Sequence, residues 1–126
     1  MLKNLILTGC GGALGAMLRL LLAKVFPAHV SMMPTYILMV NAFGCFLLGL
    51  LTEFFSLKGY FPAAWRYFLV TGFLGGLTTF SAYVLEMGMM MDKHQYALFF
   101  IYTCGSVITA YFSFFIAIHL IKWMTI

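Results

Sequence analysis

Apolar residues fill four long runs of the chain, and polar residues collect in the short intervals between them. The first run covers residues 4–26 and stops before Pro27; the second covers 34–55 and opens on Pro34, whose fixed φ suits a first helical turn. Lys58, Gly59 and Pro62 mark a turn, residues 64–91 form the third run, and Asp92-Lys93-His94 make a polar hairpin before the last run, 96–123. Each run meets the roughly 20 apolar residues needed to cross a hydrocarbon core about 30 Å thick. Backbone groups in lipid must pair within their own segment, so the pattern predicts four transmembrane helices in one domain, 1–126. Four such helices are too few to enclose a pathway, so an oligomer is expected.

Composition agrees. The chain is 64% hydrophobic and 8% charged, where a soluble domain carries about 25% charged residues. Lys3 followed by an apolar run to Leu18 resembles a signal peptide, but Arg19 leads into more leucine and no small-residue cleavage site precedes a polar region. An uncleaved first span is therefore expected. Cys10, Cys45 and Cys104 all lie inside apolar runs without metal-ligand spacing, so they read as small core residues.

The net charge of +4 comes from seven scattered Lys and Arg residues, which excludes a clustered nucleic-acid face. Lys3, Lys58, Arg66 and Lys122 flank one membrane side; Lys24 and Lys93 flank the other, joined by Arg19 if it snorkels that way. The positive-inside rule needs a larger excess to fix orientation. Insertion in both orientations, and with it an antiparallel dimer, is one consequence.

Candidate chemistry is sparse. Gly9, Gly12, Ala13 and Ala16 place small residues on one face of the first span, suited to close helix packing. Arg19 lies about four turns into that span, either snorkelling to the interface or attracting anions at an aqueous vestibule. Asn41 is a lone amide in an apolar helix, either interhelical glue or a ligand. Three glycines (72, 75 and 76) and two threonines (78 and 79) fall mid-membrane in the third span, all poor helix formers, and predict a break there. Freed carbonyls at a break can hold a cation and freed amides can face an anion. Tyr102, Ser106, Thr109 and Ser113 put four hydroxyls on one stripe of the fourth span. Glu53, Glu86, Asp92, His29, His94 and His119 lie at or near span ends, and no paired acids, nucleophile–base set or phosphate loop occurs, so no enzyme is expected.

Three motifs in order, Gly11-Gly12-Ala13-Leu14-Gly15-Ala16 through Arg19, Asn41 with Gly44 and Gly49, and Gly75-Gly76-Leu77-Thr78-Thr79-Phe80-Ser81, resemble the Fluc (CrcB) family of bacterial fluoride channels over essentially the whole chain. The resemblance implies an antiparallel, dual-topology homodimer in the bacterial inner membrane, passing fluoride passively out of the cell and conferring fluoride resistance. It implies a fluoride pathway of Asn41, Phe80, Ser81, Tyr83, Tyr102 and Ser106, with Arg19 at the vestibule and Glu86 at a family acidic position. It also implies a structural Na+ at the dimer interface, held by backbone carbonyls of Gly75 and Thr78. The expected partners are fluoride, a second copy and the lipid bilayer. Three positions depart from the family pattern: Ala82 lacks a hydroxyl, Tyr83 adds one, and Ala110 stands at the last position of the fourth-span track, with Thr109 and Ser113 nearby. A small multidrug-resistance-type cation/proton antiporter, the alternative, needs an acid in the first span, and this one has Arg19 instead.

Overall fold

The computed structural model describes residues 1–26 and 33–125; Pro27 and His29 lie outside them. Helix α1 is Leu2–Val25 and α2 is Thr35–Leu57. The third span, Ala63–Asp92, has two parts. Its first part, α3, runs over 63–77 as Ala63–Trp65, a π-helical stretch Arg66–Leu74, and Gly75–Leu77. Its second part, α4, is Phe80–Asp92, and α5 is Tyr96–Thr125. The four spans are each long and apolar enough to cross a membrane.

Packing follows two pairs, α1 with α3 and α2 with α5, while α4 leans on α5. Glycines set the approach in both pairs. A Cβ on Gly15 would stand 2.8 Å from the Leu77 amide nitrogen, and one on Gly49 would stand 2.8 Å from Ala117 Cβ. Only hydrogen fits there. The close face of α1 is Gly11 and Gly15, both buried, rather than the expected Gly9 and Ala13, which are exposed. Gly12 and Ala16 of the expected face do contribute, because their backbone lies against Gly76. Small residues at 9, 11, 12, 13, 15 and 16 reach around more than half of the circumference of α1, so spacing alone could not select the face; Gly72 and Gly76 opposite it do.

The π-helical winding in α3 had no sequence signal. Gly75 donates back to Val70 and Gly72 carbonyls, five and three residues earlier. Such winding absorbs an extra residue and re-aims the helix beyond it. Two small cores result: Ile37, Tyr83, Met90 and Tyr102 in one, Val40, Leu74 and Leu77 in the other. Large apolar side chains cover the outside, as lipid contact requires; Trp123, Leu85 and Phe100 are examples.

The turns are locally specified. Gly59 follows the end of α2 with φ +68°, which glycine adopts without strain. At the end of α4, His94 takes φ +56°, with His94 N–H bonded to Met91 O at 3.0 Å and Gln95 N–H to Met90 O at 2.9 Å. That is a Schellman closure.

Candidate ion pathway

Helical winding stops at Leu77 and resumes at Phe80. Thr78 (φ −79°, ψ 156°) and Thr79 (φ −147°, ψ 114°) are extended. Thr78 remains tied to the helix behind it, its N–H and Oγ1 both bonding Leu74 O, at 2.9 and 2.8 Å. Thr79 caps the helix ahead, its Oγ1 accepting from Ala82 N–H at 3.2 Å. This is an ordinary threonine N-cap.

Asn41 spans the gap. Its Oδ1 accepts the Thr79 N–H at 2.8 Å, and its Nδ2 donates to the Thr79 carbonyl at 3.0 Å. The side-chain amide thereby pairs with the peptide of an unwound residue as a neighbouring strand would. Of the two roles open to Asn41, the bracing one is observed; its second Nδ2 hydrogen stays available for a ligand.

This bracing redirects two helical donors. In an unbroken helix Gly75 O would accept from Thr79 N–H, and Thr78 O from Ala82 N–H. Those donors instead go to Asn41 Oδ1 and Thr79 Oγ1. Gly75 O and Thr78 O, implied for a cation, are thus among the carbonyls that lose their helical donors at the interruption, and Gly75 is exposed on the protomer surface.

The aromatic pair divides. Phe80 is 75% exposed and Tyr83 only 7%, although their ring centroids are 5.6 Å apart and tilted by 46°. Tyr83 packs inward, 5.3 Å from the fully buried Tyr102 ring, and donates its hydroxyl to the Thr103 carbonyl at 3.0 Å. Within one protomer the two rings are neighbours, Phe80 facing out and Tyr83 facing in. Ser81 is exposed, with its Oγ 3.3 Å from Thr79 Oγ1.

On α5 the hydroxyls of Tyr102, Thr103 and Ser106 are buried and have no hydrogen-bond partner. Thr103 was not on the hydroxyl stripe read from the sequence, because it lies one position off that period. Arg19 lines a cavity of about 320 Å³ together with Tyr36, Thr79 and Ala82, so it opens onto the interrupted segment. Tyr36 OH, unrecognised in the sequence, bonds the Arg19 carbonyl and ties α2 to α1 beside that cavity. Glu86 is half-buried on α4, three residues beyond Tyr83. No cluster of His, Cys, Asp or Glu fit for a metal occurs among the described residues.

Four apolar spans, the third carrying a braced polar interruption, define a multi-pass membrane protein. The CrcB-like protein, Camphor Resistance (CrcB) profile matches residues 6–118. The chain belongs to the CrcB family. It is 33% identical over 121 residues to the fluoride-specific ion channel FluC of Chlorobium chlorochromatii, covering 96% of this chain and 94% of that one. It is 40% identical over 102 residues to FluC of Methylobacterium nodulans, covering 79% and 77%. A FluC of Methanococcus maripaludis is 38% identical over 95 residues, covering 75% and 76%.

Proposed function

We propose that this protein is a fluoride-selective channel that lets fluoride leave the cell passively through the plasma membrane. The observation that carries this reading is the set of unpartnered hydroxyls beside the Tyr83 ring, buried in a protein whose relatives are named fluoride-specific channels. Fluoride is small and strongly hydrated, so a pathway must offer donors in place of water. Tyr102 and Ser106 offer O–H groups, Asn41 keeps one N–H, and aromatic ring edges carry partial positive charge. Arg19 raises the anion concentration at the adjoining cavity. An inside-negative potential drives an anion outward by about 2.3 kcal/mol per 100 mV, so no energy-coupling site is needed.

The working unit is an antiparallel homodimer with dual topology. Support comes from the near-balanced flanking charges and from Phe80, Ser81 and Gly75, which a lone protomer leaves on its surface. The partner would complete the pathway against Phe80. Gly75 and Thr78 carbonyls would hold a Na+ between protomers; oxygen donors freed from helical pairing suit such a hard cation, which would supply structural charge there. A multidrug-type antiporter lacks support, since α1 contains no carboxylate.

Efflux from liposomes loaded with fluoride, followed with a fluoride electrode and with chloride as control, tests the reading. Fluoride release without chloride release is expected. No fluoride release, or equal chloride release, overturns it.

A further inference from the structure

Threonine and serine in an apolar helix usually close their hydroxyl on the carbonyl three or four residues back. This chain follows the habit at Thr52 (to Leu48 O, 2.7 Å), Thr78 (to Leu74 O, 2.8 Å) and Thr125 (to Ile121 O, 3.0 Å). Thr103 and Ser106 break it. Their hydroxyls, and that of Tyr102, are buried with no partner. The three residues occupy positions i, i+1 and i+4 of α5, within an arc of about 100°. Tyr83 bonds the Thr103 carbonyl and so pins this turn of α5 against α4.

We propose that Thr103 supplies a third anion-coordinating hydroxyl, forming with Tyr102 and Ser106 a cup that takes the place of fluoride's hydration between α4 and α5. The inference rests on the fluoride reading above. The three O–H groups are carried on little more than one turn of α5, a spacing suited to a small anion. All three are neutral hydroxyls, so the anion is held weakly. A conducting site needs weak holding, because the ion must also leave.

The test compares wild type with Thr103→Val, which keeps the shape without the hydroxyl, and Thr103→Ser, which keeps the hydroxyl. Reconstituted Thr103→Val is expected to release fluoride about tenfold more slowly, the loss of one hydrogen bond to a charged group, and Thr103→Ser to stay within about twofold of wild type. Thermal unfolding in detergent supplies a second readout. Removing an unpaired buried hydroxyl should leave Thr103→Val as stable as wild type or more so, so slower flux would not reflect a damaged fold. Thr103→Ala replaces the valine variant if the latter is not monodisperse. Wild-type flux in the variant lacking the hydroxyl overturns the proposal, and so does a serine variant as slow as the valine one. A wild-type protein that passes no fluoride overturns the channel reading and this inference together, whereas normal wild-type flux with an unaffected Thr103→Val removes Thr103 alone.

Discussion

Asn41 and Thr79 exchange two hydrogen bonds, one through each side of the asparagine amide, and the interruption of the third span is held open by that pair. The same exchange draws the Thr79 N–H away from Gly75 O and thus leaves a carbonyl without its helical donor at the protomer surface.

Replacing Asn41 by alanine strips both bonds and leaves a buried N–H and C=O unpaired, at about 1–3 kcal/mol for each group. Asn41→Ala is expected to lose about 2–4 kcal/mol of stability, read as a lower unfolding midpoint in detergent, together with fluoride flux. Asn41→Asp keeps the acceptor but turns an oxygen toward the Thr79 carbonyl, so it should be no better.

Phe80 behaves oppositely. At 75% exposed it contributes little to the protomer core, so Phe80→Ile should leave the protein folded and of unchanged size on gel filtration. Fluoride flux should nonetheless fall to near background, because the ring edge proposed to meet the anion is gone. Unchanged flux would remove Phe80 from the pathway.

The Thr79 cap separates into hydroxyl and shape. Thr79→Val loses the acceptor for Ala82 N–H and should cost about 1 kcal/mol, whereas Thr79→Ser should retain most of it. Denaturation of the two variants side by side checks this.

Glycines divide by what surrounds them. A Cβ on Gly15 runs into the backbone of Phe73 and Leu77, so Gly15→Ala should prevent normal packing of α1 on α3. Gly88 has nothing within 4 Å of an added Cβ, and Gly88→Ala should be neutral or stabilise by up to about 1 kcal/mol. Expression level and thermal midpoint distinguish them.

Dual topology has a direct readout. A C-terminal reporter active on one membrane side is expected to label about half the molecules, given flanking Lys and Arg so evenly shared. Labelling of all or none would exclude antiparallel assembly.

Much of this protein was legible in the chain itself. Lipid demands length and apolarity of each span, and those are local properties, so composition and run lengths were enough to predict four helices. The poor helix formers from Gly72 to Thr79 likewise marked the interrupted segment, because propensity is a property of each residue. Partnership was another matter. Small residues at 9, 11, 12, 13, 15 and 16 offered several faces, and only the glycines of α3 selected Gly11 and Gly15. Asn41 could have been brace or ligand until Thr79 was found beside it. Phe80 and Tyr83 share a helix face by spacing, yet Tyr83 turned inward to meet Tyr102 and Thr103. Spacing orders residues around one helix, but which neighbour they meet depends on the rotation and approach of helices distant in the chain, and only tertiary packing decides that.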